Sequence, residues 1–223
     1  MSDLQKPNDD AAVESIDEIE DQEPLDTKSA PENRAEEGPF DADEANPARP
    51  YVDLGGLKIL PREGLHLRLE VEEGTNRVVA VGLDYAGSTL QVQAFAAPRS
   101  TGLWHEIRAQ IEDQIIKQGG TSTEREGAFG PELVGEVPVA AGASADASPS
   151  SRLARFVGVD GPRWFLRGVI AGEALTNPAA ELAIEELFRS VVVVRGTQPM
   201  PPRDLIPLNM PKTAATATPP TSA

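Results

Sequence analysis

Hydrophobic and polar positions alternate most cleanly between residues 65 and 96. Leu65, Leu67, Leu69 and Val71 alternate with His66, Arg68 and Glu70, a period of two that predicts a half-buried strand. Glu72-Glu73-Gly74-Thr75-Asn76 reads as a turn, and Arg77 to Leu83 as a second strand, apolar on both faces. After a turn at Asp84 to Gly87, Leu90, Val92, Ala94 and Ala96 alternate with Gln91, Gln93 and Phe95 as a third. Turns this short join antiparallel neighbours, so the three strands form a meander. Upstream, Tyr51 to Leu60 reads as a small hairpin, with Gly55-Gly56 supplying positive φ at its turn.

Two segments change to helical spacing. Trp104, Ile107, Ile111 and Ile115 recur at three and four residues, with Ser100 or Thr101 as the expected cap and Gly119-Gly120 as the stop. Near Asn177-Pro178, asparagine caps and proline fits the first turn of a second helix, whose apolar stripe is Ala180, Ile184, Leu187, Phe188 and Val191. Between them Thr121 to Glu126, Glu132 to Val139, Arg152 to Val159 and Arg163 to Ile170 read as strands in two hairpins, and Ser190 to Arg195 as a last strand. The order predicts an α+β fold: a mainly antiparallel sheet with two helices packed on one face.

Charge divides the chain. Of 36 acidic and 20 basic residues, 16 acidic and 4 basic fall in residues 1–50, together with six prolines. A segment so poor in apolar side chains cannot offset its chain entropy, so residues 1–50 are expected to be a disordered acidic tail. Within it, Val13, Ile16 and Ile19 have the spacing of a short amphipathic helix. Residues 51–210 then form a single domain, in which Leu205-Ile206-Pro207-Leu208 lies extended on the core. The Ala/Ser-rich stretch from Val139 to Ser150 reads as a flexible loop, and the Ala/Thr/Pro-rich residues 211–223 as a second disordered tail.

The chemistry is mostly exclusion. With no cysteine, thiolate metal sites, thiol nucleophiles and disulfides are ruled out. No phosphate-cradling glycine loop, metalloprotease helix, nucleophile elbow or calcium loop occurs, so no cofactor, no metal and no catalytic residue is assigned. No apolar run approaches the roughly 20 residues of a membrane helix, so no membrane association is expected. A net charge of -16 repels a phosphate backbone and argues against nucleic acid. These features fit a cytoplasmic protein. His66 on a polar strand face and His105 in the first helix have no partner in sequence. The pairs Glu72-Glu73 and Glu185-Glu186 are ordinary in so acidic a chain.

The most distinctive stretch runs from Val157 to Gly168. Alternation places Arg163 and Arg167 on one side of a strand and Trp164 on the other, with Arg152 and Arg155 on the paired strand. A guanidinium cluster there could receive a phosphate or carboxylate. Arg163, Arg167, Arg155 and His66 are therefore the candidate ligand-binding residues. The competing expectation is that Arg163 and Arg167 pair with acidic side chains at the sheet or with the acidic tail.

The blocks YVDLGGLKI (Tyr51 to Ile59), LQVQAFAAPRSTGLW (Leu90 to Trp104), RFVGVDGPRWFLRGVI (Arg155 to Ile170) and EELFRSVVVVRGTQPMPPRDLIPL (Glu185 to Leu208) resemble the DUF3710 family, uncharacterised proteins of actinobacteria. The resemblance covers about residues 50–210. It implies an acidic, variable N-terminal tail but no established activity, so no catalytic residue carries over. Two function classes remain, and whether the protein is an enzyme stays open. One is a noncatalytic interaction or adaptor protein with a protein partner. The other is a small-molecule or anion-binding protein using the arginines. A concave arginine-lined pocket points to an anion site, and a flat or apolar exposed patch to a protein surface.

Overall fold

The computed structural model of the protein describes residues 27–139 and 150–211. The stretch from Val13 to Ile19, the loop around Ala143 and the tail from Lys212 onward lie outside the described residues.

The meander forms as its alternation requires. Strands β4 (His66–Val71), β5 (Val78–Tyr85) and β6 (Ser88–Ala96) pair antiparallel in sequence order. They join β7 (Thr121–Gly127), β8 (Gly130–Val139), β9 (Ser150–Asp160) and β10 (Trp164–Gly172) in a seven-stranded sheet of order β4-β5-β6-β10-β9-β8-β7. A second, four-stranded sheet holds β1 (Phe40–Asp41), β11 (Val192–Val193), β3 (Leu57–Ile59) and β2 (Val52–Asp53) in that order. Its β2–β3 pair is the hairpin expected around Gly55, which has φ +80. The class is α+β with a mainly antiparallel sheet.

The helices sit differently from expectation. Strand β10 presents Trp164, Leu166, Gly168 and Ile170 to one side and Phe165, Arg167 and Val169 to the other. On the first side lies α3 (Pro178–Arg189), whose Ala180, Ile184, Leu187 and Phe188 pack with Leu90, Val92, Val157, Leu166 and Ile170. On the second lies α2 (Trp104–Lys117), whose Trp104, Ile111 and Ile115 pack with Leu133 and Phe165 as a separate cluster. The helices thus cover opposite faces, not one. The cause is the unbroken run Trp164-Phe165-Leu166, apolar on both faces, which needs cover on both. Gly158 and Gly135 open the second face to α2: a Cβ at either would run into Trp104 or Ile115.

Two capping expectations diverge. Asn177 caps α3, its side-chain oxygen accepting from the Ala179 N–H at 3.0 Å. Neither Ser100 nor Thr101 caps α2. Its first N–H groups, from Leu103 and Trp104, donate instead to the Asp160 carboxylate at 2.8 and 3.3 Å.

The N-terminal boundary also moves. Residues 27–50 lie against the domain and include helix α1 (Arg34–Glu37), so the expected tail does not extend to residue 50. Ser29 donates to Asp160 at 3.1 Å, and Lys28 Nζ donates to the Gly161 carbonyl at 2.5 Å. Strand β1 runs parallel to β11, and Trp164 Nε1 donates to Asp41 at 2.8 Å. Arg34 binds both Glu44 oxygens, at 2.7 and 2.6 Å, and lies over the Trp164 ring. Specific polar pairing holds the segment, and composition does not register pairing. At the other end Asp204 to Asn209 runs extended against β6 and the β2–β3 turn, burying Ile206 and Leu208 as expected.

Candidate functional site

Helix α2 covers its face of the large sheet mainly over β7, β8 and β9, with Trp104 reaching Phe165 on β10. Over β4, β5, β6 and the far part of β10 the same face is polar and half-exposed among the described residues. Alternation builds it: the residues that send Leu90, Val92 and Ala94 into the core send Thr89, Gln91 and Gln93 to this side. A cleft of about 310 Å³ near the β5–β6 turn holds His66, Asp84 and Thr89. Beside it a larger cleft of about 570 Å³ is lined by Arg68, Glu70, Gln91, Arg152 and Val169 among others.

Arg68 and Glu70 lie across the sheet over Gly82 at the centre of β5. Arg68 grips Asp84 with two hydrogen bonds, at 2.7 and 3.0 Å, and Thr89 Oγ1 donates to Asp84 at 2.8 Å. The bond from Arg68, then that from Thr89, holds the Asp84 carboxyl below the usual carboxylate range. Gln91 donates to Glu70 at 2.5 Å.

Arg167 is the exception on this face. It stands opposite Gln93 and donates one NH2 bond to the Gln93 side-chain oxygen at 2.5 Å. Gln93 is neutral and spends its own amide on the Val79 carbonyl at 3.1 Å. No carboxylate lies within ion-pairing distance of Arg167 among the described residues, and its buried Nε has no hydrogen-bond partner there. Burial alone pushes its pKa down from the ordinary guanidinium value.

Arg155 presents the opposite case. Odd-numbered residues of β9 face α3, so Arg155 lies on the other side of the sheet from Arg167. Both Arg155 and Glu132 are 1% exposed. Its Nε donates to Glu132 at 2.8 Å, NH1 to Glu181 at 2.7 Å and NH2 to Glu185 at 2.6 Å. Arg125 closes the network on Glu132 and Glu181, at 2.6 and 3.2 Å. Burial would lower the Arg155 pKa, but the bonds to Glu132 and Glu185 outweigh it and hold the value above the ordinary one.

The expected arginine cluster is therefore dispersed. Arg163 lies before β10 and donates to the Gly196 carbonyl at 3.1 Å, at the far end of the strand from the cleft. Arg155 is on the opposite face. Only Arg167 and His66 share the open face, His66 exposed at its edge. The carboxylate pairing expected of Arg163 and Arg167 is likewise not seen among the described residues; Arg155 carries that pairing. Of the acidic pairs, Glu185 serves Arg155 and Glu186 stands 3.7 Å from Arg62. Sequence reading left out Arg68, Gln91 and Gln93, although strict alternation marks all three as facing away from the core. Among the described residues no group of three or more histidine and acidic side chains is placed to hold a metal ion.

The molecule is thus an α+β protein with helices on both faces of an antiparallel sheet and one half-face left polar and open. Over residues 38–217 it matches the model of a family described as a protein of unknown function, DUF3710, and it belongs to that family. A search among curated proteins found no match. No helix among the described residues is long and apolar enough to cross a membrane.

Proposed function

We propose that this is a noncatalytic cytoplasmic interaction protein, and that the open half-face receives a carboxylate presented by a protein partner. The observation that carries this is Arg167: a largely buried cation, two residues along β10 and β6 from the cleft-lining Val169 and Gln91, with a glutamine where a carboxylate would neutralise it. Uncompensated buried charge is unfavourable, and a guanidinium with unused donors suits an incoming carboxylate. The cleft is lined by two arginines, Arg68, which is bound to Asp84, and Arg152. It is also open and mixed in lining, with Ala154, Val169 and Ala171 beside its polar residues, whereas small-molecule sites enclose most of their ligand in largely apolar walls. That difference favours an anion carried on a protein surface over a free metabolite. The net charge of -16 supports a partner other than nucleic acid, and the absence of cysteine suits a reducing compartment.

The test is calorimetric titration of the full chain and of Arg167→Met with a hexaglutamate peptide, citrate and inorganic phosphate. Saturable binding of the peptide that Arg167→Met abolishes is the expected result. Saturable binding of citrate or phosphate without the peptide moves the reading to the small-molecule class. Binding of none, or binding that survives the substitution, overturns the role of Arg167.

A further inference from the structure

Among the described residues strand β4 forms one edge of the seven-stranded sheet and pairs only with β5. Its backbone groups on the other side form a row open to a further strand. The irregularity in the β4–β5 ladder adds Val79 to β5, so β4 keeps its regular alternation to the edge. Toward α3 it carries an apolar stripe: Leu67 and Leu69, half-buried against the core, and Val71, 43% exposed. Toward the open face it carries His66, Arg68 and Glu70.

We infer that two copies of this chain pair antiparallel through β4, about a twofold axis at Leu69. In that register Leu69 meets Leu69 of the second copy, Leu67 meets Val71, Arg68 meets Glu70, and His66 meets Glu72. Each opposite pair is apolar with apolar or basic with acidic, and directly opposite side chains are the contacts that stabilise a sheet. Neighbouring registers are excluded by charge. Moving the axis to Arg68 sets Arg68 against itself, and moving it to Glu70 sets Glu70 against itself. Among the described residues Arg68 uses Nε and NH2 for Asp84, and Glu70 uses one oxygen for Gln91, so each keeps capacity for a partner.

The opposite edge lacks these properties. Strand β7 reads TSTEREG, has no apolar stripe, and is mostly exposed. Axes at Glu124 or Arg125 set like charges opposite each other, and Arg125 is already committed to Glu132 and Glu181. The pairing through β4 does not rest on Arg167 or on what it binds. The axis stands perpendicular to the sheet, so the open half-faces of two copies become neighbours across the seam.

The test is sedimentation velocity of the full chain over a concentration series. Wild type is expected to show a concentration-dependent dimer. Arg68→Glu and Glu70→Arg each create two like-charge contacts by symmetry and should each weaken the dimer about tenfold. The double variant, Arg68→Glu with Glu70→Arg, should restore it. Arg68 and Glu70 lie at the surface, and circular dichroism checks that each variant is folded. A second measurement uses the absence of cysteine from the natural chain. Side chains directly opposite across an antiparallel pair have Cβ atoms about 4.5–5.5 Å apart, close to a disulfide's span. Leu69→Cys should therefore oxidise to a covalent dimer, while Leu67→Cys should cross-link to Val71→Cys in a mixture more than to itself. A monomer at all concentrations, a dimer indifferent to the single swaps, or a double variant that fails to restore it overturns the inference.

Discussion

Arg155 and Arg167 stand on neighbouring strands of one sheet and face opposite ways. On the α3 side, Arg155 is surrounded by Glu132, Glu181 and Glu185, and the charge is neutralised in place. On the α2 side, Arg167 has a glutamine and, among the described residues, an unpartnered Nε. Both guanidinium groups are withdrawn from water, so burial alone does not tell them apart. What differs is compensation. A buried ion network with its carboxylates belongs to the architecture, and a buried cation without one carries the proposal of an anion site.

The sharpest way to break the contrast is to remove each charge while keeping its aliphatic stem. Arg155→Met leaves the buried Glu132 with only the half-exposed Arg125 as a cation and should cost about 3–5 kcal/mol of stability, read from chemical denaturation. A small loss would mean that the α3-side network is not structural. Truncating the helices compares their cover of the two faces. Ile184→Ala under α3 and Ile111→Ala under α2, 0% and 8% exposed, should each cost about 2–5 kcal/mol, with Ile184 the larger. If Ile111→Ala hardly moves the denaturation midpoint, α2 is a detachable cover and the whole second face is a binding surface.

Asp160 ties α2, Ser29 and Lys28 together, and its pKa is raised by burial, with its backbone hydrogen bonds only partly opposing that. Asp160→Ala removes hydrogen bonds to a charged acceptor and should cost about 1.5–3 kcal/mol. A smaller, pH-dependent effect belongs to Glu44. Burial tends to raise its pKa, but the bonds from Arg34 and from the Asp41 N–H hold it below the ordinary glutamate value of 4.5. A carboxylate with a depressed folded pKa stabilises above its unfolded pKa and loses that contribution as pH falls through the folded one. Acidification below about 4.5 should therefore loosen residues 27–50 from the domain before it unfolds. Trp164, which contacts both Arg34 and Asp41, reports this by fluorescence in a Trp104→Phe background. A single transition shared with the far-ultraviolet signal would contradict it. The smallest expected effect is on stability in Arg167→Met, which should stay within about 0.5 kcal/mol of wild type or gain slightly.

The parts of the fold legible in sequence are those set by neighbours in the chain. The alternation from Leu65 to Ala96, the hairpin at Gly55 and the cap at Asn177 are local, and the structure has them. Features set by distant partners were not legible. Trp164-Phe165-Leu166 does carry a signal, since an apolar run without alternation marks a strand covered on both faces, and it argues against helices on one side only. Nothing local announces that Asp160 caps a helix begun 56 residues earlier, or that residues 27–50 pair with β11 and Asp160. In the candidate site, alternation correctly separated Arg167 from Trp164, but parity within one strand did not relate Arg167 to Arg155 on the next. That relation depends on the register Ile170↔Arg155, which pairing across the hairpin decides.

The most direct measurement of the contrast is the Nε–H nuclear magnetic resonance signal of each arginine in the full chain during titration with hexaglutamate. The expected result is a saturable shift of the Arg167 signal, with the Arg155 signal unmoved because its donors are already taken. A shift of neither signal, or an equal shift of both, would contradict the reading of Arg167 as the open cation of the sheet.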